Sequence, residues 1–381
     1  MSQSNVQIRD SVEARDEIDD RIAETLTIDL DFHLNIRPLH VLDYLEEEDP
    51  RTRELFDNSE QGLPRPTDNP HQPLFMRDEN VGMTHGKFFD EEDGLNAMDE
   101  LALDVAVATP APWGMNAGYP KLKNALFRAQ NDYILDNVVN PDEGLYAAIA
   151  VPTWDPEAAA REIERVEDDD GFVAAQTFYG ENAQLGHHKF DPLLEKLVEY
   201  DLPVLQHGHE HDHDFEGSRQ SYAEAVVNDW PYYAQVSAAN MIFNGVFERF
   251  PEIDVVIQEA GQSWVHNFAY RADEMYQCIP GELFMSPRHY EDDRESLEKM
   301  PSEHFFDNFY LTTQPVTMGP RSEVDTWLAA SKADEMLMFS TDFPHITLDT
   351  MNWLVNHDIP EETVDRILHE NALDIFTGID R

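Results

Sequence analysis

The sequence predicts an α/β fold, a (β/α)8 or TIM barrel, on two observations. Short apolar segments suited to buried strands alternate along the chain with segments carrying apolar residues at helical spacing. Four of the apolar segments also run directly into a residue able to bind a metal. Segment 26–32 carries Asp31 and leads into His33, 202–206 leads into His207, 253–258 into Glu259, and 336–341 into Asp342. Eight parallel strands with right-handed crossovers close into a barrel whose carboxyl ends share one face, and chemistry is done there.

The elements follow in order. Residues 1–25 read as a polar arm, and 26–381 as a single barrel domain. After the first strand, residues 34–86 are irregular and rich in Pro, Asp and Asn. A segment that long points to an insertion or lid. A strand at 103–109 precedes a helix at 119–137, with Leu122, Leu126, Ala129, Tyr133 and Ile134 on one face. A strand at 144–151 leads into a helix at 156–166, with Asp155 as N-cap and Pro156 in its first position. Strands at 172–178 and 203–206 flank a helix at 192–200. A polar loop at 208–229, a helix at 230–250, a strand at 253–258 and a helix at 263–276 follow. The acidic segment 277–306 is less regular. The remaining strands lie at 308–312 and 336–339, with helices at 321–330, 347–355 and 361–371. The alternative is an open doubly wound sheet, which usually carries a Gly-rich loop after its first strand. Here that position reads Asp31-Phe32-His33-Leu34-Asn35, without glycine.

Composition narrows the partners. Asp plus Glu number 77 against 26 Lys plus Arg, a formal charge of −51. That field opposes nucleic-acid binding through phosphates and attraction to an anionic membrane. The acid is spread along helical segments such as 157–170 and 290–298. A folded chain with an acidic solvent face is expected, adapted to high salt that screens its self-repulsion. No apolar run reaches the roughly 18–20 residues of a membrane span, and residues 1–25 show no apolar signal core. The only cysteine is Cys278, so no internal disulfide forms and a cytoplasmic location is expected.

The strand ends carry the chemistry. Asp31 and His33 stand two apart, so on a regular strand both face the same way and can hold one ion; Asp29 shares that parity. The bland alternative is a buried polar ladder. His207 is positioned by its strand, whereas His209, His211 and His213 read as a solvated acidic loop. Glu259 reads as a ligand, a general base, a brace for a ligand histidine or a helix cap. Asp342 can accept the proton of a metal-bound water, or cap the following segment. Trp113, Tyr179, Gln314 and His345 follow other strands and are candidates for substrate contact, or for packing.

These residues form a recognisable pattern. The chain resembles the amidohydrolase superfamily, in the family 2 branch that includes aminocarboxymuconate semialdehyde decarboxylase-like enzymes. The resemblance covers about 26–377. It rests on Ile28-Asp29-Leu30-Asp31-Phe32-His33, on 202–207, on Phe250-Pro251-Glu252-Ile253 leading to Glu259-Ala260-Gly261, and on Ser340-Thr341-Asp342-Phe343-Pro344-His345. The ending Glu370-Asn371-Ala372-Leu373-Asp374-Ile375-Phe376 also matches. The family usually has His-x-His at the first strand and a histidine after the sixth; here Asp31 and Glu259 stand in those places. The resemblance implies one divalent ion (Zn, Mn or Fe) held by Asp31, His33, His207 and Asp342. It implies catalysis by Asp342 with Glu259 assisting, a small-molecule substrate and a homodimer. The expected reaction is hydrolysis of a C–N or C–O bond by metal-activated water. The alternatives are non-oxidative decarboxylation of an unsaturated or aromatic acid, and a metal-binding barrel without turnover.

The charge distribution makes one prediction directly. The midpoint of thermal unfolding should rise when molar KCl is added; equal stability in dilute buffer would refute salt adaptation.

Overall fold

The computed structural model describes residues 18–20, 22–36, 40–48, 87–110, 120–178, 184–208, 222–279, 297–317, 321–345 and 347–379. Trp113, Tyr179, the histidines at 209, 211 and 213, and most of the expected arm and insertion lie outside these residues. Eight parallel strands run in the order of the chain: β1 Ile28–His33, β2 Val105–Thr109, β3 Leu145–Ala150, β4 Phe172–Phe178, β5 Val204–His207, β6 Val255–Ile257, β7 Phe309–Thr312 and β8 Leu337–Met338. Each pairs only with its sequence neighbours, as right-handed βα repeats require.

Two apolar layers hold this arrangement. Inside the barrel, Ile28, Leu30, Val107, Tyr146, Leu205, Val256 and Met338 pack together, and Phe376 and Ile379 close one end. Outside, alternate strand residues such as Val204, Val255, Phe309 and Leu337 pack against helices. The helix Pro156–Val166 is as expected, with the Asp155 carboxylate capping Ala158 N–H. No helix among the described residues is long and apolar enough to cross a membrane.

Several expectations need correction. Within 34–86, residues Leu42–Glu48 are helical. Helices Glu91–Leu101 and Pro301–Asn308 fall where no regular element was expected. The helix expected at 230–250 begins earlier and breaks: it runs Tyr222–Phe243, and Gly245, at φ 65°, starts a separate turn Val246–Arg249. The arm expected over 1–25 is anchored at its end, where Ile22 is buried in the outer core and Asp19 N–H donates to Asn352 Oδ1.

The strand that opens the barrel is not regular. Its register against β2 shifts between Asp29 and Phe32. Ile28 and Leu30 lie in the barrel interior, while Phe32 packs in the outer layer. The shift is a bulge, which re-aims the side chains that follow it. Asp29 therefore does not share an inward layer with Asp31 and His33. Instead, its Oδ1 accepts the N–H groups of Asp31 (2.9 Å) and Thr341 (3.1 Å), and its Oδ2 accepts the Thr341 hydroxyl (2.5 Å).

This carboxylate fastens the barrel seam. Beyond β8 the chain runs along β1: Leu30 N–H donates to Phe339 O, Asp342 N–H to Asp31 O, and His33 N–H to Phe343 O. Asp29→Ala strips three buried donors of their acceptor. It should destabilise the fold by about 3 kcal/mol or more in urea unfolding, because each stranded buried donor costs about 1–3 kcal/mol. A loss under about 1 kcal/mol would mean the seam does not depend on Asp29.

Candidate active site

The strand ends converge. His33 closes β1 and His207 closes β5. Glu259 follows β6, and Asp342 follows β8 along the seam. His33 Nε2 lies 3.1 Å from Asp31 Oδ1 and 3.2 Å from Asp342 Oδ1. His207 Nε2 lies 3.7 Å from Asp31 Oδ1 and 3.4 Å from Glu259 Oε2. Asp31, His33 and His207 offer donor atoms within 4.8 Å of one another, and so do His33, Asp342 and His345. The four residues expected to share an ion thus lie together, joined through His33.

These donors fit a cation. Asp31 Oδ2 and His207 Nε2 are buried with no hydrogen-bond partner, and His33 Nε2 faces two carboxylate oxygens. Buried polar atoms rarely stay unsatisfied without cause. The Nδ1 of His207 faces Gly208 O, which assigns the proton to Nδ1 and leaves a lone pair on Nε2. Two atoms about 2.1 Å from one ion stand about 3.0 Å apart at a right angle and about 3.4 Å apart at the tetrahedral angle. The observed separations fall around those values.

Electrostatics report the same want of positive charge. Burial, together with the charges of Asp342 and Asp31, pushes the Glu259 carboxyl well above its ordinary value. Burial pushes Asp29 up to about 7 against the opposing hydrogen bonds from Thr341 and Asp31. Burial pushes His207 down to about 4, with the Asp31 charge opposing. Burial acts to lower His33, but Asp31 and Asp342 outweigh it and hold the imidazole well above the usual range. Burial acts to raise Asp342, but His345 and His33 outweigh it and hold it below the usual carboxylate range.

A layer of buried amides and hydroxyls orients the cluster. Gln258 Nε2 donates to Leu30 O (2.6 Å), Asp31 Oδ1 (3.2 Å) and Thr109 Oγ1 (3.2 Å). The Gln176 amide in turn donates to Gln258 Oε1 at 3.1 Å. Gln314, expected to touch substrate, is fully buried instead. Its amide donates to Asp342 Oδ2 (3.0 Å) and Thr347 O (3.1 Å), which makes it a brace for Asp342. His345 is 31% exposed, with Nδ1 2.5 Å from Asp342 Oδ1. Trp230, which sequence reasoning missed, donates from Nε1 to Glu259 Oε2 at 2.8 Å. No local signal marks it, because it sits on a helix far along the chain from Glu259. Both strand-end carboxylates, Glu259 (φ 54°) and Asp342 (φ 63°), adopt left-handed backbone that non-glycine residues seldom take. Such strain is retained where the surroundings hold it, commonly at functional sites.

The amidohydrolase family model (Amidohydro_2) matches residues 28–377, from β1 through the final helix. The chain belongs to the amidohydrolase family. Amidohydrolase-family relatives are distant but extend over most of the fold. A gamma-resorcylate decarboxylase of a Polaromonas species is 24% identical, covering 79% of this chain and 92% of its own. A decarboxylase of Emericella nidulans is 25% identical over 65% of this chain and 75% of its own. The crystal structure of 5-carboxyvanillate decarboxylase from Novosphingobium aromaticivorans, complexed with manganese and 4-hydroxy-3-methoxy-5-nitrobenzoic acid, superposes with a TM-score of 0.67. It is 18% identical and covers 95% of this chain and 99% of its own. That likeness establishes the TIM-barrel fold. Family membership makes this chain an enzyme of amidohydrolase type.

A cation at this cluster would neutralise the crowded carboxylates. Adding Mn2+ to metal-stripped protein should raise its thermal midpoint by several degrees. His207→Ala, which deletes a donor, should abolish that shift while leaving the metal-stripped midpoint nearly unchanged; a shift of the same size in both proteins would place the ion elsewhere.

Proposed function

We propose that this protein is a metal-dependent, non-oxidative decarboxylase of an aromatic carboxylic acid. The observation that carries the reading is that the relatives named above, aligned over most of their length, are decarboxylases of small aromatic acids where their substrate is named. Of the two reactions expected from the sequence, this is the one expected second, after hydrolysis. Asp31, His33, His207 and Asp342 would hold one divalent ion. Bound there, the ion supplies positive charge that anchors the anionic carboxylate of the substrate.

The residues of the chain supply the rest. Loss of CO2 breaks a carbon–carbon bond and leaves its electron pair on the ring carbon, which must take up a proton. Asp342 and His345 are our candidates for handling that proton. Gln314 and Thr347 fix its Oδ2, at 3.0 and 2.5 Å, and Oδ1 meets His345. His345 is the partly open residue of the pair and links Asp342 to solvent. In our reading the proton comes from solvent through His345 to the ring carbon, with the Asp342 carboxylate, held below the usual range, orienting the imidazole. Buried Gln258, itself bonded to Thr109, orients Asp31. Trp113 and Tyr179 remain our candidates for lining the substrate.

The wider reading is of one barrel domain over 26–381 that acts as a cytoplasmic, salt-adapted homodimer. The family match over 28–377 and the β1–β8 seam support the single domain. The spread acidity and the lone Cys278 support the location.

The decisive assay supplies Mn2+-loaded protein with hydroxybenzoates and, separately, with ester and amide substrates. CO2 release without ester or amide cleavage is expected. Asp342→Asn should lower the rate by about 10²–10⁴-fold, the range of a lost acid–base group. Hydrolysis without CO2 release would reverse the assignment.

A further inference from the structure

We infer that Glu259 is itself a ligand of the ion, so that three carboxylates and two imidazoles surround it. The inference rests on the metal reading above but not on the reaction assigned to it. Glu259 Oε2 stands 3.4 Å from His207 Nε2, the buried lone-pair atom that lacks a hydrogen-bond partner. That separation is closer than the 3.7 Å between the same nitrogen and Asp31 Oδ1. Among the described residues Glu259 lies outside the groups whose donor atoms are all within 4.8 Å of one another, so sharing the ion with Asp31 and His33 draws its carboxylate toward them.

The local architecture is built to hold that oxygen. Glu259 is 7% exposed, and its own N–H donates to Thr312 Oγ1, so its left-handed backbone is pinned to β7. Trp230 Nε1 donates to the same Oε2 at 2.8 Å. A ligating carboxylate oxygen commonly accepts such an outer hydrogen bond, which orients it and is worth 10–100-fold in affinity or activity (as an order of magnitude, ~10–100) when removed. The indole reaches Glu259 only because residue 208 is glycine: a Cβ there would come within 2.3 Å of Trp230 Nε1. Trp230, Gly208 and Glu259 form one unit in place of the histidine that the resemblance leads one to expect after the sixth strand.

The chemical consequence is a preference. Carboxylate-rich donor sets suit oxygen-preferring ions such as Mn2+, whereas sets richer in nitrogen and sulfur favour Zn2+. Glu259 shifts this site toward the first class.

The test uses full-length protein stripped of metal and titrated with Mn2+ alone, by calorimetry and by the Mn2+ electron paramagnetic resonance spectrum. Wild type should bind one ion per chain. Glu259→Gln keeps the size of the side chain and an acceptor for Trp230; it should raise the Mn2+ Kd at least tenfold at unchanged stoichiometry and alter the spectrum. Its metal-stripped form should unfold at a higher temperature than metal-stripped wild type, since a crowded buried carboxylate has gone. Trp230→Phe, which removes only the brace, should raise the Kd severalfold, and it carries the test if Glu259→Gln does not fold. A Kd within twofold of wild type for Glu259→Gln, with an unchanged spectrum, would overturn the inference and leave Glu259 facing substrate. Failure of wild type to bind any divalent ion would instead overturn the metal reading itself. Neither result depends on turnover.

Discussion

The molecule depends on the seam where its first strand meets the chain beyond its last. Seven of the eight strand contacts are parallel ladders between sequence neighbours. The eighth closure is made by single hydrogen bonds along Leu30, Asp31 and His33, and by the Asp29 carboxylate gripping Thr341. Asp29 also accepts the N–H of Asp31. One buried group thus sets the distance between the donors of strand 1 and Asp342. The bulge in β1 releases Asp29 to the seam, and beyond it Asp31 meets Gln258 and His33 meets Asp342 at the barrel mouth. Closure of the fold and assembly of the site are the same event.

Much of the architecture was legible because the pattern is strong. Segment 172–178 is apolar, bounded by Gly171, and forms a strand over its full length. Strand edges were less legible. Residues 253–258 read as one strand; the strand is Val255–Ile257, with Asp254 O and Gln258 N–H still bonded to β5 at its two ends. The helix Glu91–Leu101 was overlooked inside an acidic, irregular stretch. Its signal was present in the Asp90 cap and in Ala97, Met98 and Leu101 on one buried face. The bulge had no local signal at all, since alternation of Ile28, Asp29, Leu30 and Asp31 looks like a regular half-polar strand. Only the register against β2 reveals it.

The site divides along the same line. Residues that end strands could be found, because a parallel barrel sends every strand end to one face. That rule singled out Asp31, His33, His207, Glu259 and Asp342, and the family resemblance chose the four ligands among them. The groups that hold them could not be found this way. Gln258 lies inside a strand segment and reads as a polar interruption, yet it ties Asp31 to β2. Gln314 and His345, expected to face substrate, both bond the Asp342 carboxylate. The Gln258–Asp31 bond joins residues 227 positions apart, a separation that leaves no trace in spacing or composition.

The span of the seam also bears on when activity can arise. The bond from Thr341 to Asp29 joins residues 312 positions apart. Contacts of such long sequence separation form late and slowly. A ribosome making this chain exposes the acidic first strand long before its partner is translated, and synthesis proceeds at about 5–20 residues per second. For that interval the nascent barrel is an open sheet whose edge waits for the eighth strand. The cluster of Asp31, His33, His207 and Asp342 is consequently complete only when the two ends of the barrel have met.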